Sequence, residues 1–297
     1  MSEMTQKGHT PRTPTPRSRL RNKMLMLVLG AAIGIFLVLM LVTWREIRGL
    51  MVRELKQVSS TKVALASNWI NQNLHKKMLI LQTLAERQLE SPEGWRFNRA
   101  YFTHLTSLYK SEGIVSIYMG YEGGGYATGG GWTPPPSFDH HTRPWYREAK
   151  RAGKPIYTKP YVDARTGKNL ITLAIPLYDN KKLLGVMAMD VFITEIIKMV
   201  NSLHIGEAGR AYLVNDEGLY LSHWDPRLVL SGNIRQTGVR AIFEQFLSGS
   251  GEAARTTVYE TEDYVVVSRI ASPAWNLFFH LPSAQVNRPL KKLTLMM

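Results

Sequence analysis

Residues 139–149 read DHHTRPWYREA, and two chemistries compete for them. Asp139, His140 and His141 carry the side chains of a metal-bound hydrolytic centre. A two-metal centre needs further carboxylates from neighbouring strands, and neither an Asp-x-Asp strand end nor a second His-rich motif supplies them. A Gly-x-Ser-x-Gly elbow for a nucleophilic serine is also lacking. Arg143, Trp145 and Tyr146 suit different work. A guanidinium fork holds a carboxylate through two parallel charge-assisted hydrogen bonds, and a neighbouring indole strengthens them by excluding water. A zwitterion needs a negative partner at its ammonium end as well, and Asp163 and Asp190 are available for it. Asp190 carries the most weight, because a carboxylate inside GVMAMDVF is costly to bury without a partner.

The elements around these residues alternate as strands do. NLITLAIPLY (169–178) and KLLGVMAMDVF (182–192) are joined by Asp179-Asn180-Lys181-Lys182, a tetrad suited to an antiparallel hairpin. Val186, Ala188 and Asp190 share one face with period two, while Met187, Met189 and Val191 share the other; in the first strand Thr172 and Ala174 oppose Ile171, Leu173 and Ile175. The bulky face is expected to pack on helices, and the small-residue face to leave a hollow with one carboxylate in it. GIVSIYMGY (113–121) and the glycine-rich GGGYATGGG (123–131) read as strand, turn and strand rather than a phosphate loop, since no Gly-Lys-Ser/Thr follows. From residue 209 a second set of strands begins, interrupted by a helical RAIFEQFLSG (240–249). The expected class is α+β, in two successive modules that divide near residue 200.

Ahead of both modules, residues 24–43 form a run of twenty without charge; as a helix it spans about 30 Å, the thickness of a bilayer core. Six basic residues and Glu3 precede it, so the segment 1–23 is expected to stay cytoplasmic as a disordered tail, with everything after residue 44 outside the cytoplasm. A cleaved signal peptide fits less well, because the apolar run is too long and Trp44-Arg45-Glu46 stands where a cleavage site would be. Residues 45–90 lack proline and, after Gly49, glycine; Leu74, Met78, Leu81 and Leu84 recur at helical steps. That predicts one stem helix ended by Ser91-Pro92, packed on its own domain, on a second copy of the chain, or on both. Residues 286–297 could open another membrane segment.

The net charge of +14 does not point to nucleic acid, since much of it lies in the first 23 residues and no arginine-rich helix or RNA-binding motif accompanies the rest. Absence of cysteine removes thiolate chemistry, iron–sulfur clusters and disulfides together.

RPWYREA, YVDARTG, TLAIP and GVMAMD, in that order and spacing, resemble the double Cache (dCache) sensor domains of bacterial chemoreceptors and related transmembrane signalling proteins, and the resemblance runs from the membrane helix to about Pro282. It implies two tandem PAS-like antiparallel-sheet modules: residues 91–200 membrane-distal and ligand-binding, 201–285 membrane-proximal. An amino-acid-binding subgroup of that family carries Arg-x-Trp-Tyr, then Tyr-x-Asp, then the Asp that ends a later strand. By that resemblance Arg143 and Trp145 hold a ligand carboxylate, Tyr146, Asp163 and Asp190 hold its ammonium group, and Tyr161 and Tyr118 line the pocket. The subgroup usually has tyrosine five residues before the arginine; here Phe138 stands there, which leaves an apolar amino acid, a bridging water, or an amine or organic acid as alternatives.

The expected function is therefore a membrane-anchored, periplasmic, homodimeric sensor in the inner membrane that binds a small molecule, most simply an amino acid. No catalysis, cofactor, metal or nucleic-acid partner is expected. A binding module without its own output and a metal hydrolase are the competing readings.

Overall fold

The computed structural model describes residues 16–90, 98–163, 166–204, 209–249, 256–260 and 263–282. The chain divides into two compact units, Met1–Leu55 and Lys56–Met297. Ser91-Pro92 and the segment 286–297 lie outside the described residues.

Helix α1 runs from Pro16 to Glu90, so the apolar run and the stem belong to one helix. It starts inside the segment expected to be a disordered tail. Once an apolar run has nucleated a helix, each further residue adds a hydrogen bond, and proline is tolerated only in the first turn, where its missing N–H is no loss. The apolar part reaches a mean hydropathy of 3.0 over 18 residues and is not buried. Farther along, Val63, Ala66, Ile70, Leu74, Met78 and Leu81 form a buried stripe at three- and four-residue steps. Each fully buried Leu or Ile contributes about 1.5–3 kcal/mol. Ser67 Oγ donates to the Arg269 carbonyl at 2.9 Å and Tyr157 Oη to the Leu74 carbonyl at 3.4 Å, which ties this part of α1 to both modules.

The first module opens with α2 (Arg99–Leu108), whose N-terminus is capped by Asn98 Oδ1 accepting from Tyr101 N at 3.1 Å. The strands are β1 (Ile114–Tyr121), β2 (Tyr126–Thr128), β3 (Ile156–Tyr157), β4 (Tyr161–Val162), β5 (Asn169–Asp179) and β6 (Lys182–Phe192), with α3 (Pro144–Ala152) between β2 and β3. They pair antiparallel in the order β2-β1-β6-β5-β3, with β4 also on β5. Asn180 and Lys181 both have positive φ, as a two-residue hairpin turn requires, and Asp179 pairs with Lys182 across it.

Helix α4 (Thr194–Ser202) leads to the second module, made of β7 (Arg210–Asn215), β8 (Tyr220–Ser222), α5 (Arg240–Ser248), β9 (Thr256–Glu260), β10 (Tyr264–Ile270) and β11 (Trp275–Leu281). Its order is β8-β7-β11-β10-β9. In both sheets the opening hairpin lies against the last strand, so one plan is used twice. What occupies the helix-covered face differs. Tyr212, Phe243, Phe246 and Phe278 fill it in the second module. In the first, Ala174, Val186 and Ala188 meet Trp145, Tyr146 and Ala149 of α3, and the small side chains of the sheet set α3 close against it.

Candidate ligand-binding site

The stretch that opened the sequence question folds as two short pieces. Asp139 Oδ1 accepts from His141 N at 2.9 Å and caps a single 3-10 turn, His140–Thr142. Arg143 then adopts an extended conformation (φ −76°, ψ 143°), as a residue before proline does, and Pro144 begins α3. This extended residue carries its side chain back across the preceding segment, where the guanidinium carbon lies 4.8 Å from the centre of the Phe138 ring.

Trp145 and Tyr146 follow on α3, about 100° apart around the helix axis, and they face different surroundings. Trp145 meets Tyr118 edge-on, with ring centres 5.1 Å apart. Tyr146 is 1% exposed and its hydroxyl donates to Glu122 Oε2 at 2.6 Å. Lys150 also donates to Glu122, and its hydrogen bond, followed by that of Tyr146, holds this carboxyl below the usual range.

Behind Trp145 lies a cavity of about 720 Å³. Seven of the eight expected site residues line it: Tyr118, Phe138, Arg143, Trp145, Tyr161, Asp163 and Asp190. Tyr146 is the exception, turned to Glu122 for the reason of helix phase given above. Asp190 pairs in register with Ser116 of β1 and Thr172 of β5, on the small-residue face of β6. Its Oδ1 accepts from Tyr118 Oη and from Thr172 Oγ1, each at 2.7 Å. Since the Thr172 hydrogen is given to Asp190, Tyr161 Oη is the donor in its 3.2 Å contact with Thr172 Oγ1. A short relay of hydroxyls therefore converges on one carboxylate. Burial, and next to it the Asp190 charge, raises the pKa of Tyr118, Tyr126 and Tyr161, which keeps all three as neutral donors. Asp163 is engaged differently, with Oδ2 accepting from Thr166 N at 3.1 Å and Thr166 Oγ1 at 2.6 Å.

The cavity thus has a guanidinium at one place, a hydroxyl-fed carboxylate at another and aromatic walls between. A family model described as Cache domain (dCache) matches residues 45–290. The chain belongs to the Cache-domain family. Among relatives of this Cache chain, the methyl-accepting chemotaxis protein McpG of Pseudomonas putida is 32% identical over 117 residues, covering 39% of this chain and 18% of McpG. The methyl-accepting chemotaxis protein PscA of Pseudomonas syringae pv. tomato is 38% identical over 96 residues, 32% of this chain and 15% of PscA. The alignments thus span under a fifth of these relatives. The ligand-binding domain of the Pseudomonas aeruginosa amino-acid chemoreceptor PctC, in complex with GABA, superposes with a TM-score of 0.58 at 25% identity, over 73% of this chain and 94% of that one. That of Mlp24 with asparagine gives 0.60 at 24%, over 82% and 98%, and supports the fold alone.

Several residues lining the Cache cavity are not legible as site residues in the sequence. Tyr126 and Trp132 lie in or beside the glycine-rich stretch read as turn and strand, the sequence gives Thr172 only a face, Glu148 lies within RPWYREA without a role of its own, and Lys159 lies outside the motifs. The available signal was period two: Tyr126 and Thr128 share the face that Tyr118 and Ser116 take on β1.

The Asp139-His140-His141 group has one ligand atom from each residue within 4.8 Å of the others. His140 is only 4% exposed, and its Nε2–H donates to the Tyr121 carbonyl at 3.0 Å. His141 Nδ1 lies 2.9 Å from Asp139 Oδ1. The His140 ring rests on Gly120, where a Cβ would come within 2.4 Å of it. This clamps the 3-10 turn, and with it Arg143, to the end of β1. Burial lowers the His140 pKa, which favours the neutral ring.

Proposed function

We propose that this Cache-domain chain is a membrane-anchored sensor that binds a small zwitterion, an amino acid or a close analogue, in the cavity of its first module, within residues 91–200. The carrying observation is that Arg143 and Asp190 line one aromatic-walled cavity. Arg143 receives the ligand carboxylate through its two parallel N–H groups; Asp190 receives the cationic end. A zwitterionic ligand is also supported by the structural relative PctC, an amino-acid chemoreceptor whose ligand-binding domain is in complex with GABA.

The apolar run of α1 crosses the inner membrane with the N-terminus in the cytoplasm and residues 45–290 in the periplasm, following the basic residues before it. Residues 201–285 form the second module, and the stem part of α1 pairs with a second copy. Chemotaxis is the output suggested by the relatives' names. The role is binding, without catalysis, metal or nucleic acid.

A ligand transmits a signal only through a difference in affinity between two conformations. The contacts for it run outward from the cavity. Lys159, on its wall, pairs with Glu217 at 2.7 Å. Asp216, next to Glu217, holds Arg269 through Nη2 at 2.7 Å, and the Arg269 carbonyl accepts from Ser67 of α1.

Calorimetric titration of the full chain in detergent micelles with amino acids, amines and organic acids tests the proposal. One-site heat with a zwitterion, abolished by Arg143→Ala in a variant of unchanged thermal stability, is expected. Undiminished affinity in that variant would sink the clamp.

A further inference from the structure

A primary ammonium has three N–H donors and needs three acceptors. Of the three side chains expected to supply them, one is turned away from the cavity and a second has one of its two oxygens occupied. Tyr146 gives its hydroxyl proton to Glu122 on another side of α3, and Asp163 Oδ2 already receives two donors from Thr166. Asp190 remains on the cavity wall, and its Oδ1 accepts two hydroxyl protons.

What surrounds Asp190 is mostly aromatic. Tyr118 is the hub: its ring centre lies 5.1 Å from that of Trp145, at an interplanar angle of 77°, and 5.7 Å from that of Tyr126, at 50°. Tyr161 joins them through its hydroxyl link to Thr172. The Trp145 and Tyr126 rings are both inclined to that of Tyr118, so these three form a corner rather than a stack. All four line the cavity with the carboxylate.

An N-alkylated ammonium asks for this environment. It has few or no N–H groups to satisfy, its charge is spread over methyl groups, and it is attracted to the faces of aromatic rings. A volume of about 720 Å³ leaves room for a bulky cationic head. Opposite charge is available for the other end of the molecule, where Phe138 backs the Arg143 guanidinium. We propose that the preferred ligand is a zwitterion with an N-methylated or quaternary ammonium, caged by Tyr118, Tyr126, Trp145 and Tyr161 over Asp190, with its carboxylate on Arg143. This rests on the sensing reading above and names the ligand class for the same cavity.

The test uses matched pairs titrated calorimetrically into the full chain in micelles: glycine against N,N,N-trimethylglycine, and 4-aminobutyrate against its N,N,N-trimethyl derivative. At least one trimethyl compound is expected to bind about tenfold or more tightly than its parent. If the parents bind as well or better, the cage is wrong while the sensor stands. If neither pair binds but an ordinary amino acid does, the cage is again wrong and the sensor again stands. Silence with every zwitterion would overturn both. Variants at Tyr126 read the ring itself. Tyr126→Phe keeps an aromatic face and is expected to keep trimethyl affinity within about threefold, whereas Tyr126→Leu is expected to lose about tenfold. Equal losses in the two, with equal melting temperatures, would show that the hydroxyl and not the ring matters.

Discussion

The Arg143 guanidinium lies over the Phe138 ring, 4.8 Å from carbon to ring centre. Phe138 in turn packs edge-on against Trp132, with ring centres 4.9 Å apart. The residue that departs from the subgroup pattern thus has work of another kind: it supports a cation at the cavity wall instead of presenting a hydroxyl. A cation over an exposed ring gains about 0.5–1 kcal/mol. Phe138→Ala is accordingly expected to weaken zwitterion binding about two- to fivefold, mainly through the carboxylate end. Phe138→Tyr should change affinity little. Calorimetry with a zwitterion and with the matching amine that lacks the carboxylate separates the ends, because only the zwitterion should respond to Phe138→Ala.

Asp190→Ala removes the acceptor of two hydroxyls as well as the proposed counter-charge. Leaving Tyr118 and Thr172 without that partner is expected to destabilise the chain by about 1–3 kcal/mol. Asp190→Asn keeps an acceptor oxygen, so it should recover much of that stability and none of the cation binding. Thermal melts and titrations of the pair give the comparison; an Asn variant that still binds would remove Asp190 from the ligand site.

His140 supplies a pH dependence. Its folded pKa is lowered by burial, against an unfolded value of about 6.5. Between the two, the unfolded chain holds more protons, so stability rises with pH in that window. The contribution is fully present above about pH 6.5 and is lost as pH falls through the folded value. His223, lowered likewise by burial, acts in the same direction. The melting temperature is therefore expected to drop on acidification below about pH 6.5, and His140→Gln should make that drop shallower. A variant curve parallel to the wild-type curve would remove His140 from the account.

Gly120→Ala tests the clamp on the 3-10 turn. The new methyl group would meet the His140 ring at 2.4 Å, and overpacking of this kind costs about 1–3 kcal/mol. Because the same turn carries Arg143, weaker ligand binding is expected alongside the lower melting temperature. Restored binding in Gly120→Ala with His140→Ala would identify the ring as the obstacle.

Lys159 and Glu217 are both well exposed, so Lys159→Ala should alter stability by less than about 1 kcal/mol. Its effect is expected in coupling instead. Ligand should slow amide exchange in the β7–β8 turn of the wild type, and should do so much less in the variant. Equal protection in both would exclude this pair as the link between the modules.

Much of the architecture is legible because local rules agree with the whole. Asp179-Asn180-Lys181-Lys182 closes a hairpin since Asn tolerates positive φ, and the two faces of β5 and β6 follow from period two. The hollow over Thr172 and Asp190 follows from the small side chains there. Other features depend on distant contacts. Trp145 and Tyr146 look equivalent in a motif, and only the direction of the α3 axis separates the one that meets the cavity from the one that meets Glu122. His140 is buried because Gly120, twenty positions earlier, leaves space for its ring. Tyr126 was obscured by its glycine neighbours, which dominate any reading of the segment as a turn.

The strand order is repeated. Two modules built on one plan differ on the helix-covered face: Phe243, Phe246 and Phe278 fill it in one, while in the other Trp145 and Tyr146 pack on small side chains beside the cavity above Asp190. A cavity of this kind is set by a handful of side chains, with every strand connection left in place. The two halves of this chain share a strand order and differ in such a set of side chains.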